Sequence, residues 1–328
     1  MPRLSDPLPV KGITLRNRIV MPPMQTQLAT SRGEVTDKLV EHYTRRAVGP
    51  SLIIVEHSYV VPEGKLTENQ LGIYDDRLIE GLARLVRSVH EKGTPIAIQI
   101  NHAGRLASSK IIGMQPVAPS PVPASPTAET PRELSREEIE TVADRFVLAA
   151  EKAVAAGFDA VEVHGAHGFL LNQFCSPLAN QRTDRYGSSL DGRMKLSIQV
   201  VTEIRKKVGG AYPLLYRLGA EDHLAGGLTL EDTGEIAVKL AQAGVDIVDV
   251  SGGLGGSRPP DMKGEGYYVH LAEGIKKKVS IPVIGVGGIV TAEFADQVVR
   301  SGRADLVAVG RAMLTDPDWA TKALLHVK

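Results

Sequence analysis

The sequence of 328 residues is poor in the features that would mark several special classes of protein. Its one cysteine, Cys175, excludes a disulfide within the chain and a cysteine-bound iron-sulfur cluster. Its 38 basic and 38 acidic residues cancel, so it lacks the positive charge typical of nucleic-acid-binding proteins. The start, Met1 to Pro7, lacks the apolar core of a secretion signal, and no run of about 18 uncharged apolar residues follows. We therefore expect a cytoplasmic protein with no membrane or nucleic-acid partner.

Short runs of β-branched and other apolar residues recur along the chain, each followed by an amphipathic stretch of roughly 10 to 20 residues. This alternation is typical of a parallel sheet built from strand and helix units. Eight strands are predicted, at Arg18 to Met24, Ser51 to His57, Pro95 to Asn101, Ala160 to His164, Pro213 to Leu218, Ile247 to Ser251, Pro282 to Val286 and Leu306 to Gly310. Helices are predicted between them, for example at Leu134 to Ala156 and at Leu230 to Ala243 before Gly244.

Eight such units favour an α/β fold of the (β/α)8 TIM barrel type, with residues 1–328 in a single domain. An open doubly wound sheet is disfavoured because no glycine-rich phosphate turn follows the first predicted strand. A proline-rich segment at about 112–131 contains six prolines, from Pro116 to Pro131. Because proline lacks a backbone donor, we expect this segment to be a rigid loop without helix or sheet, inserted after the third strand.

Polar residues at the carboxyl ends of barrel strands are the ones to weigh for function, because the active sites of such barrels lie there. Gln99 lies within the third apolar run, where its amide needs partners. It either bonds to neighbouring backbone or binds a ligand. Arg217 lies within the fifth run, where a buried cation needs an anion. A structural ion pair with Glu221 or Asp222 competes with a role beside the electron-rich edge of a flavin.

Two histidines, His164 and His167, follow the fourth strand at a spacing that lets both face the barrel mouth. There they can donate hydrogen bonds to one ligand oxygen. The alternatives are structural histidines or a zinc pair. A zinc site needs a further ligand, and Cys175 is in no Cys/His cluster, so no metal is predicted.

The seventh and eighth strands end in glycines and a cation, namely Gly287, Gly288, Gly310 and Arg311. Each strand end is predicted to open into a helix. Exposed backbone N–H groups and helix starts favour anions, so this pattern indicates a phosphate site without specifying a reaction.

These motifs, read together, resemble the old yellow enzyme family. The matching segments are NRIVMPPM at 17–24, QINHAGR at 99–105, VHGAHGFLLNQF at 163–174 and SPLANQRTDRYGSSL at 176–190. The resemblance runs from about Leu8 to Trp319. It implies noncovalent FMN, NADH or NADPH as reductant, and reduction of the activated C=C bond of an α,β-unsaturated carbonyl compound. The implied partners are therefore small molecules, and a homo-oligomer is left open.

The resemblance also implies roles for individual residues. His164 and His167 would be catalytic and would bind the carbonyl oxygen of the substrate or the amide of the nicotinamide. Gln27, Phe169 and Tyr267 would complete the substrate site. The cofactor would be bound by Pro22, Pro23, Met24, Gln25, His57, Gln99, Arg217, Ser251, Gly287, Gly288, Gly310 and Arg311.

The chain departs from the family pattern in ways that bear on mechanism. Gln25 and Gln27 stand where one branch of the family has Cys and Tyr, and His57 stands where a small residue is usual. Phe169 replaces the tyrosine that usually donates a proton to the α-carbon, and phenylalanine has no proton to give. The substitutes open from sequence are Tyr59, Tyr267, Tyr268, His270 or water.

Because Phe169 lacks a proton to donate, two other activities are alternatives. One is a redox-neutral double-bond isomerase, and the other is a flavin dehydrogenase or demethylase. A third alternative is a flavin-binding subunit of an electron-transfer complex. The sequence ends soon after the eighth predicted helix, so we expect neither the cluster domain of some relatives nor a C-terminal tail that reaches a neighbouring subunit.

Overall fold

The fold is described by a computed structural model that covers residues 1–258 and 261–327. The strands are β1 (Leu8–Val10), β2 (Ile13–Leu15), β3 (Ile19–Met21), β4 (Leu52–Tyr59), β5 (Ile96–Asn101), β6 (Val117–Ala118), β7 (Arg132–Glu133), β8 (Ala160–Gly165), β9 (Leu214–Gly219), β10 (Ile247–Ser251), β11 (Val283–Gly285) and β12 (Leu306–Ala308). The helices are α1 (Asp37–Thr44), α2 (Ile79–His90), α3 (Ser109–Ile112), α4 (Arg136–Ala155), α5 (Leu170–Cys175), α6 (Leu190–Val208), α7 (Leu230–Ala243), α8 (Val269–Lys276), α9 (Ala292–Arg300), α10 (Arg311–Thr315) and α11 (Trp319–His326).

Eight of these strands form a closed parallel barrel in the order β3, β4, β5, β8, β9, β10, β11 and β12. Each predicted strand overlaps one barrel strand, so the predicted single-domain (β/α)8 barrel is confirmed. The first predicted strand was too long at its end. Pro22 and Pro23 have no N–H to donate, so β3 stops at Met21. None of the described helices is long and apolar enough to cross a bilayer.

The barrel interior changes from apolar to polar along several strands, among them β9 and β10, and this change positions the site. Side chains alternate between the two faces of a strand, so every second residue points inward. On β9 the inward residues are Leu215 and then Arg217, and on β10 they are Ile247 and then Asp249. The first residue of each pair lies in an interior apolar cluster, whereas the second is a buried charge nearer the carboxyl end.

The amino-terminal end of the barrel is covered by the hairpin of β1 and β2. Val10 and Leu15 of this hairpin pack into the same interior cluster as Val20 and Leu52. The hairpin therefore excludes water from the end of the barrel opposite the polar residues.

The proline-rich segment departs from its prediction. Residues 117–118 and 132–133 form a short parallel pair, β6 and β7, so the segment is not wholly without sheet. Proline lacks a donor but keeps its carbonyl, and the Pro116 carbonyl accepts from the Arg132 N–H at 2.8 Å.

The long helices begin at side-chain caps close to the predicted boundaries. Helix α4 begins after Ser135, whose side chain accepts from the Glu138 N–H while Glu138 bonds back to the cap. Helix α7 ends at Gly244, as predicted, with a φ of 117° that glycine tolerates.

Candidate active site

A cavity of about 330 Å³ opens at the carboxyl ends of the barrel strands. This volume lies in the range of roughly 300 to 1,000 Å³ that is usual for small-molecule sites. Its walls combine apolar side chains with histidine, glutamine and arginine. The lining residues are Pro22, Pro23, Met24, Gln25, His57, Leu66, Gln99, His164, His167, Phe169, Arg217, Ser251, Ser257, Tyr267, Tyr268, Val286, Gly288, Ile289, Ala308, Gly310 and Arg311.

The cavity brings together all of the predicted site residues except Gln27 and Gly287. Gln27 is exposed and has a positive φ of 57°. Gly287 has a φ of 130°, and its carbonyl accepts from the N–H groups of Gly266 and Tyr267. A Cβ there would lie 2.6 Å from the Tyr268 nitrogen, so Gly287 permits a close backbone approach behind the cavity wall.

His164, His167 and Phe169 form one side of the cavity. The His164 ring lies 5.2 Å from the His167 ring and 4.4 Å from the Phe169 ring, between centroids. Burial, together with neighbouring positive charge, holds the pKa of both histidines well below the usual range. Both are therefore neutral at pH 7.

Neutral imidazoles carry one proton each, and hydrogen bonds indicate where it lies. The backbone N–H of Ala166 donates to His164 Nδ1 at 3.4 Å, which assigns the proton to Nε2. His167 Nε2 lies 2.7 Å from the Ser251 hydroxyl. Ser251, predicted to bind the cofactor, thus also orients a histidine. Within 1–258 and 261–327, no group of three or more metal-binding side chains occurs.

Gln99 on β5 and Arg217 on β9 both line the cavity. Their hydrogen-bond and ion-pair partners differ from those predicted. Gln99 Nε2 donates to Glu162 Oε2 at 2.6 Å, not to neighbouring backbone. Arg217 Nη1 lies 3.0 Å from Asp249 Oδ2. The suggested ion pair of Arg217 with Glu221 or Asp222 is wrong.

The strand register explains this difference in partners. Asp249 is the cross-strand partner of Arg217 and points inward with it, whereas residues 221 and 222 lie beyond the end of β9. Sequence reasoning missed Glu162 and Asp249, although the period of two that places Gln99 and Arg217 inward applies to them as well.

His57 reaches the cavity because β4 is irregular. The pairing of β4 with β5 shifts register between Val55 and Ser58, which breaks strict alternation of the side chains. Glu56 then contacts Thr26 in the loop after β3, and His57 lines the cavity. The His57 and Phe169 ring centroids lie 5.1 Å apart.

The proton of His57 can be placed through Gln70. The Leu66 N–H donates to Gln70 Oε1 at 2.6 Å, so this atom must be the amide oxygen. Gln70 Nε2 then donates to His57 Nδ1 at 2.8 Å. Burial lowers the pKa of His57 to about 4, so the ring is neutral at pH 7 with its proton on Nε2.

The two tyrosines that overhang the cavity are engaged by a nearby loop. The Tyr268 hydroxyl donates to the Gly256 carbonyl at 2.7 Å, and the Tyr267 hydroxyl donates to the Ser257 carbonyl at 3.2 Å. The other substitutes considered from sequence lie outside the cavity wall. Tyr59 stacks on Tyr74 with a centroid distance of 5.1 Å, and His270 is exposed on α8.

The predicted phosphate end contains Gly288, Gly310 and Arg311. Arg311 Nη2 donates to the Tyr267 hydroxyl at 3.1 Å. Helix α10 begins at Arg311, and the turn after β11 leads into helix α9, so both strand ends open into helices as predicted. Helix α9 begins at Ala292 after the cap Thr291, whose N–H and hydroxyl already bond to the Glu265 carboxylate.

The comparison with known proteins identifies the family. Residues 3–328 match the NADH:flavin oxidoreductase / NADH oxidase family, and the chain belongs to this family. It is 45% identical to an NADH oxidase from Thermoanaerobacter brockii over 98% of this chain. It spans 50%, about half, of that relative's length. It is also 41% identical to an NADPH dehydrogenase from Geobacillus thermodenitrificans, over 96% of this chain and 92% of that relative.

A solved structure shows the same architecture. An old yellow enzyme homologue from Zymomonas mobilis is 27% identical, with a TM-score of 0.87 over 100% of this chain and 94% of that one. The resemblance to old yellow enzymes is therefore confirmed. FMN and a nicotinamide reductant are the cofactors.

The cavity fits FMN on its own chemistry. Gln99 Nε2 is occupied by Glu162, which leaves the Gln99 carbonyl oxygen for the cavity. Arg217 Nε is buried without a hydrogen-bond partner among the described residues. A Cβ on Gly310 would lie 2.7 Å from Met24 Sδ, so the backbone there is kept close to the cavity wall. A polar planar ring and a phosphate suit such a set of groups.

Proposed function

We propose that this protein uses NAD(P)H to reduce the activated C=C bond of small α,β-unsaturated carbonyl compounds. The observation that carries the proposal is the neutral pair His164 and His167, which lines the same cavity as Gln99 and Arg217. Bound FMN would supply the hydride chemistry, from NAD(P)H to the β-carbon of the alkene. The protein supplies binding, orientation and a proton.

In this proposal, Gln99 and Arg217 would bind the pyrimidine edge of FMN, and Pro22 to Gln25 and His57 would contact the ring system. Ser251, Gly288, Gly310 and Arg311 would hold the ribityl and phosphate groups. His164 donates from Nε2 to the substrate carbonyl oxygen, and His167 supports it from the position set by Ser251. These donors stabilise the negative charge that develops on the oxygen.

The proton for the α-carbon is assigned to His57. Phe169 has no hydroxyl, and the hydroxyl protons of Tyr267 and Tyr268 are directed at backbone carbonyls. The His57 ring lies beside Phe169, and its Nε2–H donates to no acceptor within the described residues. The proton leaves Nε2 as the new C–H bond forms, and water returns a proton to Nε2.

The proposed oxygen site can be tested without turnover. A phenol such as para-hydroxybenzaldehyde should bind as its phenolate, stack on the flavin and give a long-wavelength charge-transfer band. His164→Ala removes the Nε2 donor, so the band should be lost or need at least roughly tenfold more phenol, since one charge-assisted hydrogen bond contributes about 1.5 to 3 kcal/mol.

The matched control is His102→Ala, which removes a buried histidine outside the cavity wall and should keep the band. An unchanged phenol titration in His164→Ala would contradict the proposed oxygen site.

A second candidate function rests on Phe169. An isomerase or a flavin dehydrogenase would not need a proton donor at this position. Product analysis separates these functions, because an isomerase moves the double bond without consuming NAD(P)H and a dehydrogenase forms a double bond.

A further inference from the structure

Two acidic side chains lie together beneath the cavity. Glu162 on β8 and Asp249 on β10 are both fully buried, and their carboxyl groups contact each other. The strand between them, β9, carries Arg217. Neither carboxyl lines the cavity, but each contacts a residue that does.

The charges at this position do not balance if both acids are ionised. Arg217 is the one cation in contact with the pair within the described part of the chain. Two carboxylates against one guanidinium leave one net negative charge in the interior, which costs several kcal/mol. One carboxyl is therefore expected to hold a proton.

The hydrogen bonds indicate which oxygen carries this proton. Glu162 Oε1 and both Asp249 carboxylate oxygens accept no hydrogen bond in 1–258 and 261–327. The contact of Arg217 Nη1 with Asp249 Oδ2 at 3.0 Å is an ion pair without hydrogen-bond geometry. A proton on Glu162 Oε1, donated to Asp249, satisfies two of these atoms at once. Glu162 Oε2 still accepts from Gln99, and Asp249 keeps its charge beside Arg217. Burial raises the pKa of both acids, that of Glu162 well above its usual range, which agrees with this assignment.

We propose that Glu162 is a neutral acid that donates a hydrogen bond to ionised Asp249, and that this pair sets the charge and orientation of Arg217 and Gln99 toward FMN. Glu162 holds the Gln99 amide with its nitrogen inward, so that the carbonyl oxygen faces the cavity. Arg217 is balanced by one negative charge, not by two. Both acids are positioning residues. The inference rests on FMN as the cofactor and not on the alkene reaction.

Two isosteric variants of the FMN-loaded protein test this pair. In Glu162→Gln, the amide N–H replaces the acid O–H toward Asp249, and the carbonyl still accepts from Gln99. We expect an unchanged reduction potential of the bound flavin and less than a tenfold change in the FMN dissociation constant. The double variant Glu162→Gln/Asp249→Asn removes the negative charge beside Arg217 and leaves no acid there that could ionise in its place. The potential should rise, because more positive surroundings favour the electron-rich reduced flavin.

Infrared spectroscopy measures the proton directly. At pH 8 the loaded parent protein should show the carbonyl stretch of a buried carboxylic acid that shifts in D₂O. This band should be lost in Glu162→Gln. Burial raises the pKa of Glu56 only to about 7, so this acid is mostly ionised at pH 8 and contributes little to the band. The band should therefore persist in the control Glu56→Gln.

Two outcomes would overturn the proposal. One is a parent spectrum without the band, and the other is a potential that rises in Glu162→Gln as much as in Glu162→Gln/Asp249→Asn. If the double variant does not fold, the comparison of infrared bands between parent and Glu162→Gln decides alone. Neither measurement needs an alkene to turn over, so a failure of the proposed reaction would leave this test intact.

Discussion

At the scale of single residues, Phe169 cannot donate a proton, and the proposed donor is His57 instead. Phe169 lies between the two rings that face the cavity, 4.4 Å from His164 and 5.1 Å from His57 between centroids. A hydroxyl on the ring of residue 169 would add a proton donor to this side of the cavity. An imidazole N–H is also a weaker acid than a phenol.

We predict that His57→Gln lowers kcat for a weakly activated enone by about 10²- to 10⁴-fold, the usual contribution of general acid catalysis. Phe169→Tyr should raise kcat in the parent protein and restore activity to His57→Gln. Nitroalkenes should respond little, because their nitronate products can be protonated off the enzyme. Steady-state rates and product analysis check both variants.

Phe169→Leu is the matched control, since it changes the ring without adding a proton. If Phe169→Tyr abolished the native reaction, the phenyl ring would be required to exclude a proton donor. The isomerase or dehydrogenase function would then be favoured.

The sequence predicts those cavity residues that are polar and stand within or at the end of an apolar run. Gln99, His164 and Arg217 were found because they interrupt or end apolar runs. Glu162 and Asp249 interrupt the same kind of run, and only a strict count of inward positions would have found them. The proton on His57 could not be predicted, because it depends on a register shift in β4 and on a hydrogen bond from Gln70, which lies 13 residues further along the chain outside any regular element.

At the scale of structural elements, the loop after β3 is held by one buried acid. Glu56 accepts from both the backbone N–H and the hydroxyl of Thr26, next to the cavity residues Met24 and Gln25. Burial raises the pKa of Glu56 from 4.5 to about 7 despite these hydrogen bonds. The loop anchor therefore changes charge near neutral pH.

Because the pKa of Glu56 is higher in the folded state, its contribution to stability is present below about pH 4.5 and is lost as the pH rises through 7. Glu56→Gln cannot lose a proton. Its free energy of unfolding should therefore improve relative to the parent by roughly 3 kcal/mol between pH 5 and pH 8. Urea titrations at several pH values measure this difference, to which the buried histidines contribute equally in both proteins.

Glu68→Gln, a change at an exposed glutamate, should give no such trend. A difference between Glu56→Gln and the parent that stays constant with pH would show that Glu56 has the same pKa in both states.

The eight barrel strands were predictable because each is an apolar run with a turn at its end. The short pairs were not. The β1–β2 hairpin is three residues per strand, and the β6–β7 pair is two, too short for an alternation to appear. The bond from the α9 cap Thr291 to the Glu265 carboxylate was not predictable either, because the two residues lie 26 positions apart in the chain.

At the scale of the whole molecule, the barrel separates stability from chemistry. Its amino-terminal half is an apolar core closed by the β1–β2 hairpin, and its carboxyl end holds the polar cavity. The family's relatives differ in length around this shared unit, since the chain spans 50% of one relative and 92% of another. A homo-oligomer remains a prediction, which sedimentation of the purified protein can test.

A double-mixing experiment without oxygen tests the proposed reduction of activated alkenes by NAD(P)H. The yellow, FMN-loaded protein is first mixed with NADPH or NADH, and the flavin absorbance should bleach. Mixing with 2-cyclohexenone should then restore the absorbance and yield one equivalent of cyclohexanone. A flavin that neither NADPH nor NADH bleaches would contradict the proposed reaction. So would a bleached flavin that oxygen reoxidises but that no enone or nitroalkene reoxidises.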